Sequence, residues 1–287
     1  SVTHLTGRHM TNLTRAITRA LTSPLTRPIT SPGVGGGAAG DPLLDAALAL
    51  NPVWLYDHKD IASFFSDAAM TTQATVNGEV LAVADKSGNG WHRKQATPGK
   101  GPKLRQSGAL YYLDYDGVDD FLVTSVIDLT GTDALTVCFG VTKSSDAAFG
   151  IVVEVGVNIS SATGIALYAP TSAGPALGFG SRGTAGALAN YNNALVAAPI
   201  TRVLTGVAKI STDKCILRAN GTQIATTVSD QGTGNYANSA VYFGVRGGVS
   251  GFFSGDDYGG ALYAIEATGA DLAAIEAFVA DRTGITL

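Results

Sequence analysis

Short apolar runs separated by turn-forming residues recur along the chain beyond residue 120. Their lengths and spacing predict antiparallel strands rather than alternating strands and helices. The clearest pair of runs flanks Asn220-Gly221, a dipeptide that accepts the two positive φ angles of a type I′ hairpin turn. The predicted strands are 121–126, 134–141, 149–155, 165–168, 176–179, 203–210, 215–219, 223–227, 241–245 and 261–266.

Helical periodicity marks the C-terminal segment and a short stretch at 43–50. For the C-terminal helix we predict Thr268 as N-cap, Asp271 as its capping-box partner and Gly284 at the C′ position. The apolar stripe would pack against the strands. It consists of Leu272, Ile275, Phe278 and Val279.

Composition supports a turn-rich β protein with a large core. Hydrophobic residues make up 45% of the 287 residues and charged residues 15%, which excludes general disorder. The acids are 19 Asp and 4 Glu, and Asp favours turns where Glu favours helix interiors. Cys138 and Cys215 lie inside predicted strands and are expected to be core residues. No segment has the uninterrupted apolar length of a membrane helix, so we expect no membrane partner.

The first thirty residues repeat in groups of four, most of which open on an apolar residue. Residues 1–40 carry four arginines and no acid, a charge of +4, whereas the remainder carries 15 basic and 23 acidic residues, a charge of −8. Such a narrow segment cannot bury its own apolar stripe, so it needs a partner surface. Four dispersed arginines are too few for the basic patch that a nucleic acid needs, so they favour a protein as that partner. The predicted anchoring and oligomerising residues are Leu13, Arg15, Ile17, Arg19, Leu21, Leu25, Arg27 and Ile29.

The chain is therefore predicted to have three parts. Residues 1–30 form a repetitive basic arm, residues 31–40 a Gly-rich linker, and residues 41–287 a β-sandwich domain. Narrow apolar stems bundle well, so we expect a homo-oligomer, for which a trimer is one arrangement.

Several motifs in residues 41–287 resemble those of a known family of modules. The segments VWLYD at 53–57, IASFFSD at 61–67, ADKSGNG at 84–90 and YDGVDDFL at 115–122 resemble the LamG-like, concanavalin A-like modules of bacteriophage and prophage structural proteins. Trp91 departs from the pattern, because the modules more often have a small or polar residue there. The resemblance implies an antiparallel two-sheet jelly-roll sandwich with an extended N-terminal arm and one C-terminal helix. It also implies a place in the virion, assembled in the host cytoplasm.

Two kinds of candidate site follow from the residues. Aromatic side chains in predicted loops could pack on sugar rings, and these are Trp91, Tyr191, Tyr236 and Tyr258. The alternative is that they fill the ends of the sandwich. Clustered carboxylates could hold Ca²⁺, although Asp residues in turns usually bond backbone amides, so no cofactor is expected. The calcium candidates are Asp114, Asp116, Asp119 and Asp120.

No catalytic pattern is visible. None of the four Glu has an acid two or four residues away, and Glu154 is expected to face outward from its strand. We therefore expect a non-enzymatic virion structural protein, such as a capsid decoration, head fibre or tail-associated protein, that binds other virion proteins through its arm. The alternative is an adhesin for a host surface glycan, and the remote alternative is a polysaccharide-degrading enzyme.

Overall fold

A computed structural model describes residues 40–191 and 196–287. The predicted anchoring residues of the arm, and the linker up to residue 39, lie outside the described residues. Residues Asp41–Leu287 form one compact unit.

Two antiparallel sheets make up this unit, as predicted. Sheet A has the order β15-β14-β13-β8-β17-β6-β5, with β1 also paired to β17. Sheet B has the order β12-β11-β10-β9-β16-β7-β4-β3-β2. The strands are β1 (Trp54–Asp57), β2 (Phe64–Phe65), β3 (Ala82–Val83), β4 (Arg93–Lys94), β5 (Lys103–Ser107), β6 (Leu110–Asp116), β7 (Leu122–Val123), β8 (Ala134–Lys143), β9 (Ile151–Val155), β10 (Gly164–Tyr168), β11 (Leu177–Arg182), β12 (Gly186–Tyr191), β13 (Ile200–Lys209), β14 (Lys214–Ala219), β15 (Thr222–Thr227), β16 (Val241–Phe243) and β17 (Ser254–Tyr263).

Aromatic side chains fill the space between the sheets. Trp54 stacks on Tyr56 with ring centroids 5.1 Å apart, and Phe139 and Phe243 pack on the Trp54 ring at 5.6 and 5.4 Å. All four are fully buried. Offset and edge-on contacts of this kind stabilise a core beyond the burial of area alone.

One ion pair crosses this apolar core. Arg93 of sheet B donates from Nη1 to Oδ2 of Asp257 in sheet A at 2.5 Å and from Nη2 to Nε2 of His58 at 2.7 Å. The guanidinium also lies 4.5 Å from the Tyr56 ring centroid. Because arginine only donates, His58 accepts at Nε2 and is neutral. Burial lowers the pKa of His58 to about 4, in agreement with that role.

The helices lie on the outer face of sheet A. Helix α1 spans Pro42–Ala49, close to the predicted segment, and helix α2 spans Gly269–Thr283. A second apolar cluster joins them to the sheet through Cys138, Val203 and Tyr263. No described helix has the length and apolar character needed to cross a membrane.

The local predictions for α2 and the hairpin are largely confirmed. Gly284 ends α2 with φ 71°, and Asn220 and Gly221 have φ 46° and 76° between β14 and β15. The capping box at the start of α2 is wrong: Thr268 occupies the N-cap position, but its side chain makes no capping hydrogen bond. Both cysteines are buried and free, as expected.

Candidate functional site

Helix α2 covers only part of the outer face of sheet A. It ends at Thr283, which lies against Gly140 so closely that a Cβ at position 140 would overlap the Thr283 hydroxyl. Beyond Gly140, five polar residues are direct register partners across strands β13, β8, β17, β6 and β5. We call this set the polar row, and it consists of Thr201, Thr142, Asp256, Asp114 and Lys103.

Hydroxyl groups and two tyrosine rings surround the centre of the polar row. The Thr142 hydroxyl lies 2.8 Å from the Thr201 hydroxyl and 3.2 Å from the Tyr258 hydroxyl. The Tyr258 ring packs beside Tyr112 with centroids 5.2 Å apart. Tyr112 and the first four members of the row are half-buried, so their polar atoms line a surface that solvent reaches.

A cleft of about 510 Å³ adjoins the row at β5 and β6. Glu79 holds its rim by accepting the amides of Gly99 and Gly101 at 2.6 and 2.9 Å on Oε1. Arg105 donates to Oδ2 of Asp114 at 3.0 Å. This volume falls within the usual range of small-molecule sites. The cleft is lined by Glu79, Gly99, Gly101, Lys103, Arg105, Asp114, Asp116 and Asp120.

Two carboxyl groups at this face hold their protons more tightly than usual. Burial and repulsion from Asp114 raise the pKa of Asp256 to about 6, and the hydroxyls of Thr142 and Tyr258 offset only part of that rise. Burial and repulsion from neighbouring aspartates raise the pKa of Asp120 to about 7 against a backbone hydrogen bond from Asp116. Both shifts arise mainly because burial disfavours the charged form, and for Asp256 the nearby Arg105 lowers the pKa only in part.

Strand β17 is held in place from the opposite face of the sheet. Asp256 and Tyr258 point outward, whereas Asp257 between them points inward to Arg93. Asp257 also accepts the Gly259 amide on Oδ1 at 2.6 Å, within the β-bulge between residues 257 and 260. The buried ion pair therefore fixes the strand segment that carries the centre of the site.

The structure brings three of the four calcium candidates together. Oxygen atoms of Asp116, Asp119 and Asp120 lie within 4.8 Å of one another, whereas Asp114 is bound to Arg105. Asp116 Oδ1 accepts the Val118 and Asp119 amides, and Asp120 Oδ2 accepts the Asp116 amide. These are the backbone bonds of an aspartate turn. Ca²⁺ takes about six to eight oxygen ligands. The three carboxylates by themselves do not establish such a set, so calcium binding here stays a prediction.

The three aromatic candidates whose side chains the structure describes lie in different surroundings. Tyr236 is buried, 1% exposed, and its hydroxyl lies 2.9 Å from that of Ser181, so its role as an exposed sugar platform is wrong. Tyr258 lies in strand β17 rather than in a loop and is 8% exposed. Trp91 is half-buried against the core. Tyr191 ends strand β12, and its side chain lies outside what the structure describes.

Glu154 points outward from its strand, as expected, but it is buried rather than exposed to solvent. It lies on the outer face of sheet B but is fully covered. Its Oε1 accepts the Ile159 amide at 2.8 Å, and both its oxygens accept from Arg246 Nε at 3.2 and 3.1 Å. The carboxylate therefore anchors the loop after β9 and is not available to a substrate.

The sequence matches no protein-family model and no curated protein. Among solved structures, the chain is similar to the ligand binding domain of botulinum neurotoxin serotype D in complex with N-acetylneuraminic acid, with a TM-score of 0.56 and 11% identity over 80% of this chain and 52% of that one. It is also similar to the receptor binding domain of botulinum neurotoxin D, with a TM-score of 0.54 and 10% identity over 80% of this chain and 53% of that one.

A third similarity is to the CBM40 of Ruminococcus gnavus IT-sialidase bound to α2,3-sialyllactose, with a TM-score of 0.42 and 18% identity over 58% of this chain and 95% of that one. This chain spans about half the length of the neurotoxin domains it matches. At these identities the similarity to the neurotoxin domains establishes the all-β sandwich fold alone, in agreement with the two antiparallel sheets.

Proposed function

We propose that residues 41–287 form a non-catalytic carbohydrate-binding domain whose binding face is the polar row with Tyr112 and the adjoining cleft. The observation that carries the proposal is the register of the row. Four strands place hydroxyl and carboxylate groups in one line on a half-exposed sheet face, a fifth adds the Lys103 ammonium at its end, and a tyrosine pair lies beside them.

The chemistry of this face suits a sugar. Carboxylate oxygens accept hydrogen bonds from sugar hydroxyls, and threonine and tyrosine hydroxyls both donate and accept. An aromatic ring beside such groups packs on the apolar face of a pyranose. The complex of the neurotoxin D ligand binding domain with N-acetylneuraminic acid adds support from a similar fold, although that domain is about twice as long as the part matched.

A glycan array followed by calorimetry tests the proposal. We expect a glycan that binds the full chain and that loses about five- to thirtyfold in affinity with Tyr112→Ala or Asp256→Asn, since each removes a contact of about 1–2 kcal/mol. Tyr242→Ala is the matched control, because Tyr242 is a half-buried tyrosine on sheet B. Binding to no glycan, or binding unchanged by both variants, would contradict the proposal.

The register of Asp114 and Asp256 makes hydrolysis the second candidate. Retaining glycosidases hold two carboxyl groups about 5–5.5 Å apart, and directly opposed residues on neighbouring strands reach a similar separation. Arg105 occupies one oxygen of Asp114, which favours binding over catalysis. Incubation of the bound glycan with the full chain should release no reducing ends; release abolished by Asp256→Asn would replace binding with hydrolysis.

We further propose that the arm attaches the chain to a virion, as the resemblance to phage structural modules implies. The support is the four-residue apolar repeat with four arginines and no acid in residues 1–40. Other virion proteins and further copies of the chain would be its partners. Deletion of residues 1–30 should abolish incorporation into particles and reduce the oligomeric state, and unchanged incorporation and assembly would contradict this role.

A further inference from the structure

The binding face carries an excess of carboxylates. Five acidic side chains stand in the polar row and the cleft against two basic ones, Lys103 and Arg105. The acidic residues are Glu79, Asp114, Asp116, Asp120 and Asp256.

The two basic residues do not neutralise the centre of the face. Arg105 is already engaged by Oδ2 of Asp114 at 3.0 Å and by the side-chain oxygen of Asn77 at 2.8 Å. Lys103 lies at the exposed end of the row, on the edge strand β5. Across the described residues, no lysine or arginine forms a salt bridge with Asp256.

Asp256 is the carboxylate of the polar row that has no salt-bridge partner among the described residues. Its carboxyl stands opposite Asp114 in the register of β17 and β6, beside the neutral hydroxyls of Thr142 and Tyr258. The charge of Arg105 offsets the repulsion only in part, because the pKa of Asp256 is still raised. Like charges opposed across strands destabilise the ionised pair. A cation placed over Asp256 would remove that repulsion, whereas an anion would add to it.

From this arrangement we infer that the glycan bound here carries protonated amino groups, as oligosaccharides of unacetylated hexosamine do, and that carboxylated sugars such as sialic acid are disfavoured. The inference rests on the proposed function and assigns its ligand class. The hexosamine ammonium would lie over Asp256, with hydroxyl groups of the same sugar in reach of Thr142 and Thr201. The Tyr112 ring supplies a contact that does not depend on ligand charge.

Three probes of similar size separate charge from sugar recognition. The full chain is titrated by calorimetry at pH 6.5 with a glucosamine tetramer, its fully N-acetylated counterpart and α2,3-sialyllactose. We expect the glucosamine tetramer to bind at least about tenfold more tightly than the acetylated one and sialyllactose to bind most weakly, with the preference shrinking as salt screens the charges.

Two variants test whether the preference for the glucosamine tetramer over its acetylated counterpart arises at this face. Asp256→Asn should bring the two tetramers within about threefold of each other, because it removes the carboxylate and keeps the shape. Tyr112→Ala should weaken both by the same factor. Asp45→Asn on helix α1 is the matched control, since Asp45 is exposed and lies outside the face, and it should retain the full preference.

The results also separate this inference from the proposed function. Acetylated or sialylated probes that bind as tightly as the glucosamine tetramer, and still lose affinity with Tyr112→Ala, would overturn the ligand class and leave sugar binding at this face intact. A preference equal in Asp256→Asn and Asp45→Asn would show unspecific attraction to an acidic protein and overturn the inference. Binding of none of the three probes would overturn it as well, while the glycan array decides the broader proposal.

Discussion

The buried ion pair between Arg93 and Asp257 should dominate the stability of the strand that carries the site. Both side chains are nearly or fully buried, and the pair joins the two sheets through the core. Removing one partner of such a pair leaves an uncompensated charge at a cost of about 3–5 kcal/mol. We therefore expect Arg93→Met or Asp257→Asn each to lower the free energy of unfolding by about that amount, a large part of the 5–15 kcal/mol typical of a domain.

The double variant tests the reasoning more sharply than either single one. Arg93→Met with Asp257→Asn removes both charges, so its destabilisation should fall at least about 2 kcal/mol short of the sum of the single effects. Residual loss is expected because the guanidinium also packs over the Tyr56 and Phe243 rings at 4.5 and 5.0 Å. Asp257→Asn keeps an oxygen for the Gly259 amide, so the bulge retains its acceptor.

Urea unfolding followed by tryptophan fluorescence measures these changes, because Trp54 stacks on the same Tyr56 ring. Lys86→Met serves as control: its ion pair with Asp60 is about one-third exposed on both sides, and its loss should cost less than about 1 kcal/mol. A single core variant that costs less than about 1 kcal/mol, or single effects that simply add in the double variant, would refute a dominant role of the pair.

Further predictions concern titration and packing. By carboxyl NMR, Asp256 should titrate near pH 6. Asp114→Asn should lower that midpoint, because it removes the opposing charge and releases Arg105. An unchanged midpoint would contradict the proposed repulsion between Asp114 and Asp256. Because the unfolded chain protonates His58 near pH 6.5 and the folded chain near 4, His58 should reduce stability by up to about 3 kcal/mol on acidification across that range. In His58→Asn this part of the loss should be absent from unfolding curves; equal losses would refute it. Gly140→Ala should lower the free energy of unfolding by about 1–3 kcal/mol through overlap with the end of helix α2, and thermal melting checks this; a melting temperature equal to wild type would contradict the close contact.

The predictions that succeeded rest on interactions within a few residues. Asn220-Gly221 determines a turn from its own backbone preferences, and the spacing of Ile275, Phe278 and Val279 determines a helix face that must find a partner. Both therefore appear in the structure close to the expected bounds. The predicted sandwich likewise follows from repeated short strands.

The predictions that failed required knowledge of what packs over each side chain. Tyr236 lies among loop residues in the sequence, yet tertiary packing places its hydroxyl against Ser181 inside the protein. The outward position predicted for Glu154 is correct, but its burial did not follow from that position, because the loop that carries Ile159 covers it. Strand periodicity predicts which face of the sheet a side chain points to, but it does not predict whether another segment covers that face.

Sequence alone thus determined the β architecture, the closing helix, the charge contrast between arm and body, and the lack of a local catalytic motif. The binding face was decided only by tertiary structure, because its members Asp114, Thr142, Thr201 and Asp256 come from four strands far apart in the chain. Strands β5 and β6 escaped prediction because their polar outward residues interrupt the apolar runs. Strand pairing depends on long-range register that no short window of sequence contains, so a line of polar groups across five strands exists only once the sheet has formed.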